Sequence, residues 1–112
     1  MAERAFRFSM GIHSAKSRTT LRDKAKRYED FGFDALHLPD HLGAPAPFPV
    51  LTAIASATSR VRLGTYVLNA GFYKPALLAR DAGEVDQLSG QWRSDLVERR
   101  WTKDVLGCVL YV

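Results

Sequence analysis

The sequence contains little cysteine, no long hydrophobic run and no phosphate-binding motif. Its one cysteine, Cys108, cannot form an internal disulfide, and no Cys/His set has metal-ligand spacing. A disulfide-bonded secreted domain and a structural zinc site are therefore excluded. No apolar run reaches the ~18 residues of a membrane span, and residues 1–8, MAERAFRF, lack the apolar core of a secretory signal. We expect a cytoplasmic protein with no membrane partner.

Sequence motifs for several common chemistries are also missing. No G-x-x-x-x-G-K loop and no G-x-G-x-x-G turn occurs, which disfavours nucleoside triphosphates and Rossmann binding of nicotinamide cofactors. The serines form no nucleophile elbow, which disfavours serine hydrolase chemistry. The net charge is +4. The basic residues concentrate in residues 1–27, where they fit the solvated face of a strand and a helix better than a nucleic-acid patch. We expect no nucleic-acid partner.

Hydrophobic periodicity divides the first 90 residues into strands and helices. Phe6, Phe8, Met10 and Ile12 alternate with polar or small residues, which is typical of a strand. The same criteria predict strands at residues 6–12, 33–38 and 61–68 and helices at residues 20–32, 49–55 and 75–90. Because each parallel step requires a crossover, this βαβαβα order predicts an α/β fold with a parallel sheet.

Local signals set the predicted boundaries of the helices. Thr20, with Asp23 three residues later, is the predicted N-cap of the first helix, and Gly32 is its predicted end. Pro49 is predicted in the first turn of the second helix, and Pro75 in that of the third. Gly83 lies inside the third predicted helix, where a glycine costs ~1 kcal/mol relative to alanine.

The candidate functional residues follow the predicted strands. In parallel sheets, ligands bind beyond the carboxyl ends of the strands, here the loops that open with His13, Asp40 and Asn69. Asp40 and His41 place an acid and an imidazole there, and a proton-transfer role is open beside the commoner one of a loop cap.

Histidines and aromatic residues in and near the same loops raise two further roles, metal binding and aromatic stacking. His37 and His41 lack a third nearby ligand, so no metal is predicted. Tyr66, Phe72 and Tyr73 could stack on a flat heterocycle, although core packing is the commoner role of an aromatic side chain in a strand.

Four segments carry a family resemblance, and it covers roughly residues 5–90. They read RFSMGIH, YEDFGFDALHLPDHLG, TSRVRLGTYVLN and YKPALLARDAGEVDQLSG. In order and spacing they resemble the N-terminal portion of the luciferase-like monooxygenases, in particular the branch that uses the deazaflavin coenzyme F420. The resemblance implies the first part of a (β/α)8 TIM barrel that is not closed. Residues 1–90 would form three βα units, and residues 91–112 a divergent tail with either a helix and a fourth strand or loose pairing.

The resemblance also implies a chemistry and residues for it. The expected function is a deazaflavin- or FMN-dependent oxidoreductase that transfers hydride to or from, or monooxygenates, a small organic substrate. Asp40 would contact the cofactor, and His41 would be the catalytic acid/base or orienting residue. Tyr66 and Val67 would contact the cofactor at a bulge of the third strand that carries a non-proline cis peptide.

The sequence departs from the family pattern after Gly90. The family continues with Gly-Arg, whereas this chain reads Gln91-Trp92-Arg93, and it lacks the phosphate-binding loops of late barrel strands. We therefore expect a truncated enzyme that is weak or inactive alone, and a homo-oligomer that forms through exposed strand edges. The alternative is a non-catalytic barrel remnant that acts only through protein association.

Overall fold

The computed structural model describes residues 6–90 and the backbone of residues 108–111. In chain order the elements are β1 (Ser9–Gly11), α1 (Arg18–Asp30), β2 (Ala35–Leu38), α2 (Pro47–Ala55), β3 (Arg62–Leu68), a 3-10 turn (Ala70–Phe72), α3 (Pro75–Leu88) and β4 (Cys108–Tyr111). The predicted βαβαβα order is confirmed. In the described part of the chain, no helix has the length and apolar character needed to cross a membrane.

The strands form one open sheet in the order β1-β2-β3-β4. The first three are parallel, as predicted, and Met10 pairs with Leu36 and Leu36 with Leu63. The fourth strand, β4, is different: it pairs with β3 in the antiparallel direction. An antiparallel strand satisfies the backbone groups at that edge of β3, as it does in many mixed sheets. The helix predicted within residues 91–104 lies outside the described residues.

The structure tests three predicted helix boundaries: the start of α1, the first turn of α2 and the end of α1. The predicted cap at Thr20 is wrong: Ser17 caps α1, and its hydroxyl accepts the Thr20 N–H at 3.1 Å. Pro49 lies in the first turn of α2, as predicted, and the helix begins two residues earlier at Pro47, whose fixed φ and missing N–H suit a first helical position. Gly32 ends α1 as predicted, with a φ of 93° that favours glycine.

The hydrophobic core lies on one face of the sheet, beneath the three helices. Leu36 and Leu38 of β2 point to this side and are fully buried. The core cluster comprises Ile12, Leu21, Ala25, Leu36, Leu38, Phe48, Leu51, Ile54, Ala55, Val61, Leu63, Leu68, Leu78 and Val85. Burying a Leu, Ile, Val or Phe side chain stabilises the fold by about 1.5–3 kcal/mol, so this layer supplies most of the driving force.

A buried carboxylate joins α1 to the start of β3. The Glu29 carboxylate accepts the backbone N–H groups of Ser59, Arg60 and Val61 at 2.7–3.2 Å. Burial alone would raise the pKa of Glu29, but these N–H groups and the Arg60 charge outweigh it and hold the pKa below its ordinary value of 4.5. Glu29 is therefore ionised near neutral pH.

The Arg60 side chain closes the same junction from the other direction. Its guanidinium donates to the carbonyl oxygens of Glu29 at 2.8 Å and Phe33 at 3.0 Å. Carbonyls in the last turn of a helix have no partner within the helix, and the Glu29 carbonyl is satisfied from outside it by Arg60 and by the Gly32 N–H at 3.0 Å. α1, the turn after it and the segment before β3 are thus fixed as one unit.

We predict that Glu29→Gln destabilises the fold by about 2–3 kcal/mol, because a neutral amide replaces a buried carboxylate that accepts several hydrogen bonds. Since the pKa of Glu29 is lowered on folding, its contribution is complete above about pH 4.5 and is lost as the pH falls through the lowered pKa. Urea unfolding at several pH values measures both effects. Asp30→Asn, at the exposed neighbouring position, should change stability by less than about 0.5 kcal/mol. An equal loss of unfolding free energy in the two variants would contradict the stabilising role of the Glu29 carboxylate.

Candidate functional site

The carboxyl ends of β1, β2 and β3 lie at one edge of the sheet, where the loops after them meet. We define the inner face as the side of the sheet opposite α1, α2 and α3. Because Leu36 and Leu38 point toward the helices, strand alternation directs His37 to the inner face. Gly11 and Gly64 pair with His37 on either side and share that face. Neither strand neighbour of His37 therefore has a side chain beside the imidazole on this face.

The Asp40 carboxylate ties two of the loops together. Its Oδ2 accepts the backbone N–H of Asn69 at 2.9 Å, and it also accepts a hydrogen bond from the Tyr73 hydroxyl. The Asn69 side chain in turn accepts the Gly71 N–H at 3.1 Å and shapes the 3-10 turn. Asp40 is thus a fixed acceptor at the carboxyl edge.

Tyr73, which lies between the 3-10 turn and α3, donates its hydroxyl to Asp40. Its ring packs edge-to-face against Phe48 of α2, with centroids 5.7 Å apart. Burial raises the pKa of Tyr73 above its ordinary value of 10.0, and the Asp40 charge, the hydrogen bond to Asp40 and the Asp81 charge add to the effect. The hydroxyl therefore stays protonated at neutral pH and remains a donor to the carboxylate.

Tyr66 and Val67 form the exposed end of β3. Their side chains are 60% and 40% exposed, whereas Thr65 and Leu68 on either side are buried. The Tyr66–Val67 peptide is cis, and the pairing register with β4 shifts between Thr65 and Leu68. The cis peptide and the irregular strand predicted at these residues are thus confirmed.

Asp40 and Val67 follow the last paired residues of two neighbouring strands. Leu38 pairs with Thr65 across β2 and β3, and each is followed two residues later by one of them. The structure therefore brings together three of the four predicted site residues, Asp40, Tyr66 and Val67, at neighbouring strand ends.

His41 lies on the exposed loop after Asp40. Its Nδ1 is 3.0 Å from the Leu42 carbonyl oxygen. A carbonyl only accepts, so this geometry assigns the proton to Nδ1 and leaves Nε2 to take or give a proton. The catalytic role of His41 stays a prediction.

Two further histidines approach this site. His13 opens one of the three loops predicted to form it, whereas the sequence suggested for His37 only metal binding, which was not predicted. The His37 ring contacts the Tyr66 ring edge-to-face, with centroids 5.4 Å apart, and its Nδ1 is buried without a hydrogen-bond partner in the described part of the chain. The His13 ring covers Gly11 so closely that a Cβ there would lie 2.7 Å from Nε2. Burial lowers the pKa of His37, and the charge of His13 lowers it further. The alternation of His37 with Leu36 and Leu38 in the sequence was the signal that could have placed it on this face.

Within residues 6–90, no group of three or more His, Cys, Asp or Glu side chains is arranged so that it could hold a metal ion. A surface groove of about 150 Å³ lies between α1 and Ala57, and Arg18, Arg22 and Lys26 line it. It shares no residue with the site described above.

Comparisons with known proteins agree on one family. Residues 5–91 match the family model of the luciferase-like monooxygenases. The 5,10-methylenetetrahydromethanopterin reductase of Archaeoglobus fulgidus is 35% identical over 58% of this chain and 20% of its own length. The F420-dependent glucose-6-phosphate dehydrogenase of Nakamurella multipartita is 39% identical over 54% of this chain and 20% of its own length. The chain thus spans about a fifth of these relatives.

A solved structure has a similar fold. The coenzyme F420-dependent tetrahydromethanopterin reductase from Methanopyrus kandleri matches 75% of this chain with a TM-score of 0.69 and 27% identity. The match covers 24% of that protein. The described sheet and helices therefore correspond to part of its barrel.

We predict that Asp40→Asn lowers the pKa of Tyr73, because the variant removes the charge and weakens the hydrogen bond that oppose its ionisation. The pKa should stay above 10.0, since burial still acts on the hydroxyl. NMR titration of the Tyr73 ring carbons measures the change. Asp86→Asn, on the same helix α3, is the matched control and should leave the Tyr73 titration unchanged. An unaltered titration in Asp40→Asn would contradict the pairing.

Proposed function

The chain belongs to the luciferase-like monooxygenase family, and on that premise we propose that it carries part of a coenzyme F420 site for an oxidoreductase. Two of the relatives named above are F420-dependent by name, which supports F420 rather than FMN. F420 carries hydride to or from a substrate when bound, and the protein supplies binding and orientation.

The observation that carries the proposal is that a fixed hydrogen-bond acceptor, Asp40, and two exposed side chains, Tyr66 and Val67, lie at neighbouring strand ends. Asp40 is fixed by Asn69 and Tyr73, and Val67 lies near the end of the neighbouring strand β3. Tyr66 presents an exposed aromatic ring beside it. A planar heterocycle needs an apolar wall and a few placed polar groups, and these residues supply both.

Each residue has a distinct proposed task. Tyr66 and Val67 would pack against the ring system, and Asp40 would accept a hydrogen bond from it. His41 would exchange a proton with the small organic substrate through Nε2, the nitrogen that its contact with Leu42 leaves available. The relatives act on unlike compounds by name, glucose 6-phosphate and methanopterin derivatives, so the proposal names a substrate class and no single compound.

Fluorescence titration with F420 tests the proposal, with FMN as a parallel ligand. We expect saturable F420 binding in the micromolar range, weaker binding of FMN, and about tenfold weaker F420 binding in Asp40→Ala, which corresponds to about 1.4 kcal/mol. Asp30→Ala, on the surface of α1, should bind like the unaltered chain. Absence of F420 binding up to about 1 mM in a folded sample would overturn the proposal.

A non-catalytic role through association is the second candidate, and an open strand edge favours it. In the described sheet, β1 has a neighbour on one side only. The Phe8 carbonyl and the Ile12 N–H bond toward β2, so alternation turns the backbone groups of Ser9 and Gly11 outward. Phe6 is 74% exposed nearby. We propose that two copies pair along this edge.

Light scattering after size exclusion tests this association. The chain should elute as a dimer or larger species, and Ser9→Pro should shift it toward monomer, because proline removes the outward N–H. Ser14→Pro, in the loop after β1, is the control and should leave the mass unchanged. A stable monomer of the unaltered chain would contradict edge pairing. Association with folding intact and no F420 binding would favour the non-catalytic role.

A further inference from the structure

We propose that His37 is a positioning residue, which sets the orientation of the Tyr66 ring at the carboxyl end of β3, and that His13 holds the His37 ring from the other side. The inference rests on the proposed function in one respect: the Tyr66 ring is taken to be a cofactor contact. The geometry of the three rings stands without that premise.

The sheet register explains why these three rings meet. The strand neighbours of His37 are Gly11 and Gly64, which have no side chains to flank the imidazole. The space is filled by the residues two positions further along each neighbouring chain, His13 and Tyr66. A Cβ at Gly11 would collide with the His13 ring at 2.7 Å, so glycine is required there for the His13 position.

His37 is held by packing more than by hydrogen bonds. Its Nδ1 is buried and has no hydrogen-bond partner in the described part of the chain, so the edge-to-face contact with Tyr66 is its principal defined interaction. Edge-to-face aromatic pairs have a preferred geometry. A ring held this way fixes the angle of its exposed partner, and Tyr66 is 60% exposed.

The charge of His37 is coupled to its neighbours. The titratable groups that face it are His13 after β1 and Tyr66 on β3. Burial and the positive charge of His13 both lower the pKa of His37, so the ring is uncharged at neutral pH. Protonation on acidification would add repulsion from His13 and shift the ring that contacts Tyr66.

An NMR titration of the free protein tests the ring cluster without any cofactor. We expect the Tyr66 ring signals to move with the His37 midpoint, and we expect His13→Ala to raise that midpoint by removing a positive neighbour. His41→Ala should change neither signal. The positioning role of His37 would be overturned if the Tyr66 signals did not change during the His37 titration. It would also be overturned if the His37 midpoint were unchanged in His13→Ala.

An F420 titration near neutral pH separates this inference from the proposed function. We expect about two- to tenfold weaker binding in His37→Ala, the range of an aromatic pair contact. His37→Phe, which keeps a ring, should recover most of the loss, and circular dichroism should show that both variants are folded. Wild-type binding with equal affinity in His37→Ala overturns the inference alone. Absence of wild-type binding overturns the proposed function, and the free-protein titration then decides the inference.

Discussion

The Glu29 carboxylate fixes the amino-terminal side of the sheet, because the backbone N–H groups of residues 59–61 converge on it. Without that acceptor, the N–H of the buried residue Val61 would lose its carboxylate partner at a cost in free energy, and the more exposed N–H groups of Ser59 and Arg60 would lose theirs as well. Glu29 also lies at the end of α1, so the same contact sets where this helix meets β3. The strand that carries Tyr66 and Val67 starts from this junction.

A second carboxylate performs a similar task at the opposite edge. Asp40 joins the loops after β2 and β3 through Asn69 and Tyr73, as Glu29 joins α1 to β3 at the amino edge. The two differ in burial: Glu29 is almost fully buried, whereas Asp40 is partly exposed. Glu29 therefore has a structural role, whereas Asp40 is fixed in place at the carboxyl edge and keeps part of its surface exposed.

The two faces of the sheet have different uses. The helix face carries the leucine-rich core, and the inner face near the site carries glycines, an imidazole and an exposed tyrosine. In a closed barrel such an inner face is covered by other strands and the ligand. In the described part of the chain Tyr66 is the exposed side chain of this face, which is compatible both with a partial cofactor site and with association between copies.

The resemblance to a known family singled out Tyr66 and Val67. The sequence pattern by itself determined the order of strands and helices, the parallel direction of β1, β2 and β3, and the position of Asp40 after a strand end. Periodicity and loop position record these features locally. It also contained the pattern that buries Glu29, because Leu21, Ala25 and Glu29 recur every four residues on one helix face, but spacing cannot show which donors a carboxylate meets.

Only the tertiary structure decided the partners of these residues. The bonds from Asp40 to Asn69 and from Glu29 to residues 59–61 join positions about thirty apart, and the contact of His37 with Tyr66 depends on the register of two strands. The antiparallel direction of β4 likewise followed from pairing and not from local pattern. Local sequence sets the conformation of a segment, whereas contacts between distant segments exist only after the chain has folded, and the site is built from such contacts.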